Sequence, residues 1–347
     1  MRVGIIGTGG MARTMVKAIG AAPGMTVTAV ASRSRDRAES FARGQQVEHW
    51  FGDISSLAAC SEVDLVYVAS HPDRHVGDCR LTLEAGKPVL CEKPLATSAA
   101  DAELLAEVAA KHGTFLMEGL WLRFLPAVRH AEQLVRERAC GTPLLLQANF
   151  GYPVAAGTAS PGTDVGVLLD RAVYPISLAI FLLGPALESS ALVARDSNGI
   201  ATQAAFVLRH DGGTLSELSV SSEAHLSNTA AISCERGRIE LAEPLLGTER
   251  VIVREHAPLA AASASDEAPS TKQKVIETLK SSPLLRRLRA SASRGGTSQF
   301  FSYGPSPYVP QLQEVARCVE RGETQCSTMP LAQTIETLRI IEQAESK

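Results

Sequence analysis

Lys93, Asp170 and Tyr174 are the side chains of this 347-residue chain best suited to move a proton. Lys93 follows the apolar run Pro88 to Cys91 and precedes Pro94. Proline cannot continue a strand ladder, so the chain turns there, with a cis bond as one route. An ammonium at that turn can hydrogen-bond a hydroxyl or lower the pKa of a neighbour. Asp170 and Tyr174 are four residues apart on a helix expected from Leu168, a spacing that puts both on one face. A tyrosine titrates near roughly pH 10. Beside an ammonium and a bound hydroxyl it can release or accept a proton at neutral pH, and as a neutral phenol it donates a hydrogen bond. Asp170 can accept from a hydroxyl. Plainer readings stand beside these: a snorkelling surface lysine, a helix-terminus charge and a core tyrosine.

What such residues would act with is suggested by Gly7-Thr8-Gly9-Gly10-Met11-Ala12, which follows the apolar run Val3 to Ile6. A strand opening through glycines into a helix grips a dinucleotide pyrophosphate. Gly7 permits the turn, Gly9 lets the backbone approach the phosphates, and Ala12 fills the third small position. The helix N-terminus offers N–H groups to the anion. The run Thr26 to Ala31 after a helix-length gap completes a β-α-β unit. An NAD site carries an acid after that second strand; here the chain reads Ala31-Ser32-Arg33-Ser34-Arg35. Ser32 can donate to a 2′-phosphate, and Arg33 can pair with it while stacking on adenine, so NADP is preferred over NAD. Arg35 and Arg37 read as a solvated helix start.

The elements that must carry these residues alternate in the first third. Asp64 to Ser70, Pro88 to Cys91 and Thr114 to Met117 read as buried strands, and His75 to Ala85 and Ser98 to His112 as helices. This predicts a doubly wound parallel sheet, a Rossmann domain over 1–120, with Gly7, Ser32, His71 and Lys93 all at carboxyl strand ends, where ligands bind. Over 121–347 an α+β domain with a largely antiparallel open sheet is expected. Helices are read over Pro126 to Cys140, Leu168 to Leu183, Gln311 to Arg321 and Leu331 to Ala344. Strands are read over Leu144 to Phe150, Ala201 to Arg209, Thr214 to Ser222, Thr229 to Cys234, Arg238 to Leu241 and Arg250 to Glu255. Pro258 to Phe300 reads as a low-complexity insertion, its basic second part (Thr271 to Arg294) carrying apolar residues for a helix.

A net charge of −3 and a pI near 6.3 argue against a nucleic-acid partner. The longest apolar stretch, Ile176 to Leu183, is too short for a membrane span. Met1-Arg2-Val3 enters a strand at once, leaving no room for a signal peptide, and seven cysteines without Cys-x-x-Cys suit buried thiols in a reducing cytoplasm. The eight histidines form no metal-ligand spacing; His71 and His75 straddle Pro72 at a loop, so no metal is expected.

Taken together, the chain resembles the glucose–fructose oxidoreductase / inositol dehydrogenase / rhizopine-catabolism (Gfo/Idh/MocA) family. The glycine turn, Ser70-His71-Pro72, the run Ala85-Gly86-Lys87-Pro88-Val89-Leu90-Cys91-Glu92-Lys93-Pro94-Leu95-Ala96 and Met329-Pro330-Leu331 carry the likeness. The segments Met117 to Pro126 and Leu168 to Pro175 are similar to the branch of dimeric dihydrodiol dehydrogenases and NADP-dependent xylose dehydrogenases. The resemblance implies that Lys93, Asp170 and Tyr174 surround the reacting carbon, with Tyr174 as acid/base. It implies a cofactor site of Gly7, Thr8, Gly9, Gly10, Met11, Ala12, Ser32, Arg33, Ser70, His71, Pro72, His75, Glu92 and Lys93, and places Trp121 and Arg123 near the cleft. A sugar, polyol or diol substrate and a homodimer or higher homo-oligomer follow by the same analogy. Two departures stand out: Ala172 replaces the usual glycine, and Arg171 replaces an apolar residue, where it could pair with Asp170 or recruit an anionic substrate. Rival readings are a catalytically silent nucleotide-binding regulator and a hydrolase shuttling hydride through bound NAD.

Overall fold

Both faces of the first sheet are apolar because both are covered. In a computed structural model, which describes residues 1–154, 166–256 and 296–346, Val3 and Ile5 pack with Met15 and Ile19 on one side. Ile6, Val66 and Val68 pack with Leu83 and Leu105 on the other. That two-sided burial is why these strands read as continuous hydrophobic runs rather than alternating ones.

The sheet comprises β1 (Arg2–Ile6), β2 (Thr26–Ala31), β3 (His49–Phe51), β4 (Leu65–Val68), β5 (Val89–Glu92) and β6 (Leu116–Gly119). Its order is β3-β2-β1-β4-β5-β6, all parallel. The helices between them are α1 (Gly10–Ala21), α2 (Arg35–Gln45), α3 (Ile54–Ala58), α4 (Pro72–Glu84) and α5 (Ala99–His112). Ser34 and Ser98 cap α2 and α5, their hydroxyls accepting from the N–H groups of Arg37 and Asp101.

The second sheet comprises β7 (Pro143–Gly151), β8 (Ala186–Arg195), β9 (Ala201–His210), β10 (Leu215–Ser221), β11 (Ala230–Cys234), β12 (Gly237–Leu241), β13 (Arg250–Glu255) and β14 (Thr297–Phe300). Its order is β14-β13-β12-β11-β7-β10-β9-β8, antiparallel except where β7 meets β10. One face is covered by α6 (Pro126–Arg136) and α7 (Val173–Leu183), and α8 (Val309–Glu320) and α9 (Leu331–Glu345) close the chain. Helix α9 reaches back to the first sheet, where Glu342 accepts from the N–H of Ala99 at the start of α5.

Several elements depart from the sequence expectations, among them the short β3 and α3, for which no strand or helix was read. Strand β8 was not foreseen: it is an edge strand, mostly exposed, whose apolar residues flank Glu188-Ser189-Ser190 and do not alternate with polar ones. Strand β14 lies inside the expected Pro258–Phe300 insertion, and Thr297–Phe300 pairs with β13. The expected basic helix over Thr271 to Arg294 lies outside the described residues. The helix expected from Leu168 opens instead with a π-turn, Leu168–Ala172, before α7.

Candidate active site

The carboxyl ends of β1, β2, β4 and β5 open onto a cavity of about 970 Å³. Gly7, Thr8, Gly9, Gly10 and Met11 line it from the turn between β1 and α1, and Ser32 and Arg33 from the end of β2. Ser70, His71, Pro72 and His75 line it beyond β4, and Glu92, Lys93 and Pro94 beyond β5. Among the described residues, Asp170 alone reaches this lining from the second half of the chain.

Backbone sterics shape the turn. Gly7 has φ +112°, and a Cβ there would come within 2.5 Å of the Ala69 carbonyl oxygen. At Gly9, by contrast, a Cβ would meet no protein atom within 4 Å, so the cradle is not filled by the protein's own packing. No side chain caps the first turn of α1, and Ala12 is fully buried behind it. Free N–H groups, a glycine cradle and a lining that includes Arg13, Arg33, Arg37 and Arg74, beside Asp36 and Asp78, fit a dinucleotide phosphate chain. Arg37, expected at a solvated helix start, thus lies at the cavity. Arg74 was also not anticipated. It stands 3.9 Å from Asp78, whose burial pushes its carboxyl pKa up.

His75 is buried, with Nδ1 2.7 Å from the Pro94 carbonyl and Nε2 3.1 Å from that of Ser70. It ties the loop after β4 to the loop after β5, and burial lowers its pKa. His71 Nδ1 lies 2.8 Å from Asp73.

The Lys93–Pro94 peptide is cis. Lys93 Nζ donates to Asp170 twice, to Oδ1 at 2.7 Å and to the main-chain carbonyl at 2.8 Å. The same nitrogen lies 5.3 Å from the centre of the Tyr174 ring, over its face rather than at its hydroxyl. Tyr174 is buried beneath the pair and is not among the cavity-lining residues. Desolvation, with Glu92, Tyr308 and Asp170 nearby, pushes its phenol well above the ordinary range, so the neutral form is the one held here. Trp121 lies close enough to this phenol to offset a little of that rise.

Two arginines expected at the cleft turn onto protein carbonyls, although Arg171 also stands 3.5 Å from Asp170, the pairing that was one expectation for it. Arg123 is fully buried: Nε donates to Ser177 Oγ at 2.7 Å, and its terminal nitrogens donate to the carbonyls of Ser177 and Thr328 and to Gln333. It joins α7 to the start of α9, because an arginine without access to water must find acceptors in the protein. Arg171 is likewise buried, donating to the carbonyls of Tyr152 and Ser221. Trp121 packs against Tyr308 with ring centres 5.1 Å apart.

Sequence reasoning missed three supporting residues. Tyr67 donates to Glu92, a carboxyl whose pKa burial raises. Glu118 accepts from the N–H of Leu95 and from Thr334, holding the segment just after Lys93-Pro94. Tyr308, on the far side of the expected insertion, faces Trp121, and burial raises its pKa to about 12. Only Glu118 lay inside a motif that could have flagged it. Away from the cavity, Glu314, Cys318 and Cys326 bring ligand-type atoms within 4.8 Å of one another, and Arg317 already donates to Glu314 and Cys318 there. Among the described residues, no helix is long and apolar enough to cross a membrane, and all seven cysteines are free thiols.

Residues 1–120 match an oxidoreductase family with an NAD-binding Rossmann fold, and residues 128–240 match the GFO/IDH/MocA C-terminal domain. Trans-1,2-dihydrobenzene-1,2-diol dehydrogenase of Sus scrofa is 32% identical over 246 residues, covering 70% of this chain and 73% of that protein. KijD10, a 3-ketoreductase from Actinomadura kijaniata solved with NADP and TDP-benzene, superposes with a TM-score of 0.77 at 24% identity, over 100% of this chain and 97% of that one. Levoglucosan dehydrogenase, solved with NADH and L-sorbose, does so with a TM-score of 0.78 at 18% identity, over 100% and 96%.

Proposed function

We propose that this chain, which belongs to the Gfo/Idh/MocA family of NAD(P)-dependent oxidoreductases, transfers hydride between NADP(H) and a secondary hydroxyl, or its ketone, of a sugar, cyclitol or vicinal diol. The observation that carries the reading is the Lys93–Asp170 pair, drawn from two halves of the chain to the end of one cavity. Bound nicotinamide would supply or take the hydride. Lys93 holds the substrate oxygen by its ammonium, Asp170 orients the hydroxyl, and Tyr174 passes the proton, as a phenolic donor in the direction of ketone reduction. The glycine turn and α1 hold the pyrophosphate, while Ser32, Arg33 and Arg37, with no carboxylate at the end of β2, favour the 2′-phosphate of NADP.

The named activities of the relatives, on a dihydrodiol and on levoglucosan, support a polyhydroxylated substrate. We take 1–120 as the cofactor unit and 121–347 as the substrate and assembly unit. The outer face of the second sheet exposes Leu192, Val207 and Leu215 together, which supports a homodimer formed through that face. The free thiols support a cytoplasmic location.

The test is a fluorescence titration with NADPH and NADH, followed by turnover on D-xylose, L-sorbose, myo-inositol and trans-1,2-cyclohexanediol with the preferred cofactor. Tighter NADPH binding and turnover of at least one compound are expected. Tight binding without turnover on any of them would favour a nucleotide-binding regulator instead.

A further inference from the structure

Arg171 is one of the two positions at which this chain departs from the pattern it resembles, and its surroundings give it a task. It sits on the π-turn Leu168–Ala172, next to Asp170, with its side chain only 2% exposed. One terminal nitrogen donates to the carbonyl of Tyr152 at 2.6 Å and to that of Ser221. The guanidinium carbon lies 4.0 Å from the centre of the Tyr152 ring and 5.9 Å from that of Phe150. Those contacts fasten it to the ends of β7 and β10, so it cannot swing into the cavity. Among the described residues its Nε has no hydrogen-bond partner, and it lies 3.5 Å from Asp170 Oδ2, a charge contact rather than a bond. Asp170 is therefore held between two cations, Oδ1 by Lys93 and Oδ2 by Arg171.

A carboxylate with one partner is free to rotate about its last torsion. With a fixed cation behind Oδ2, rotation would separate opposite charges in a place partly withdrawn from water. We infer that Arg171 is a positioning residue, which keeps Oδ1 of Asp170 turned toward Lys93 and the reacting site and does not itself contact substrate. This rests on the role proposed for Asp170 above.

The experiment is a double-mutant cycle of Arg171→Met and Asp170→Asn, read as kcat with NADPH and the most active compound of the panel, with NADPH affinity measured on each variant. Arg171→Met is expected to lower kcat about tenfold with NADPH affinity unchanged, yet by less than about twofold in the Asp170→Asn background. In the cofactor-free protein, acetylation of Lys93 by an N-hydroxysuccinimide ester, read by peptide mass spectrometry, is expected to be several-fold faster in Arg171→Met. Should that variant fail to fold, Arg171→Lys keeps a buried charge at shorter reach, and the same non-additivity is expected. Equal losses in both backgrounds would make Arg171 merely structural and overturn the inference. So would a raised KM for substrate at unchanged kcat, which means direct contact. Full activity of Asp170→Asn would remove the underlying reading as well, and is distinguishable because it appears without any change at Arg171.

Discussion

Lys93 and Asp170 are 77 residues apart in sequence, and the ammonium of the first donates to both the carboxylate and the carbonyl of the second. The ammonium thus bridges the parallel sheet to the turn before α7. The side chains are 16% and 29% exposed, so the pair is partly withdrawn from water, and removing one partner leaves the other charge poorly compensated. Lys93→Met is expected to lower kcat by about 10²–10⁴-fold, the range for loss of a positioned proton-handling group, while NADPH affinity changes little. Steady-state rates beside a binding titration measure both, and a wild-type kcat would remove Lys93 from the chemistry.

Tyr174→Phe is expected to lower kcat for ketone reduction by a similar factor, roughly 10²–10⁴. The phenol's pKa is raised, so the proton it would donate is retained as pH climbs to the ordinary tyrosine value of 10.0 and beyond. Loss of that proton therefore puts no alkaline limb on the rate below about pH 10. A pH series from neutral to alkaline, run on the wild type and the Phe variant, checks this. A variant as fast as the wild type would assign Tyr174 to the core alone.

The arginines beside β2 should govern cofactor choice. Arg33→Ala and Arg37→Ala are each expected to weaken NADPH binding by about tenfold or more, the equivalent of one charge-assisted hydrogen bond, with NADH nearly unaffected. Fluorescence titrations with both nucleotides decide it. Equal weakening of both would mean these side chains touch something other than the 2′-phosphate.

At Gly7 the constraint is purely steric. A methyl group would meet a backbone carbonyl at 2.5 Å in a conformation with φ +112°. Gly7→Ala is expected to lower the unfolding free energy by about 2–5 kcal/mol and to abolish dinucleotide binding. Urea unfolding would show it, and a variant of unchanged stability would mean the turn relaxes freely.

Acid stability has a local source at the start of β1. Hydrogen bonds from the Arg2 guanidinium, with a smaller part from its main-chain N–H, lower the Asp64 pKa from 3.8 to about 2. A depressed folded pKa stabilises above the unfolded value, so this contribution is complete above pH 3.8 and fades as pH falls to about 2. Since the Asp64 side chain is 38% exposed, solvent screening keeps the effect small, under about 1 kcal/mol. Asp64→Asn should lose that increment at neutral pH and converge with the wild type in strong acid, as denaturant midpoints across that range would show.

Much of the first sheet was legible because its signals are local. Glycine turns, apolar runs and serine caps act over a few neighbouring residues, and the ends of every strand but the unread β3 could be placed within a residue or two: Thr26 to Ala31 is β2 itself. Strand β8 was not legible, since an exposed edge strand whose apolar residues do not alternate with polar ones has no period to read. Nor was Glu118 assignable to the support of Leu95, because that bond depends on β6 lying beside β5.

The chain by itself determined a dinucleotide-type turn, a parallel sheet and the residues with proton chemistry, since each follows from residue type and short-range spacing. Tertiary structure alone decided which charged groups face the cavity. Arg123 and Arg171 look from sequence like cleft residues, yet both turn inward onto protein carbonyls, while Arg37 and Arg74 line the cavity. The reason is that a long cationic side chain goes wherever acceptors or water compensate its charge, and those acceptors come from elements more than a helix-length away in sequence.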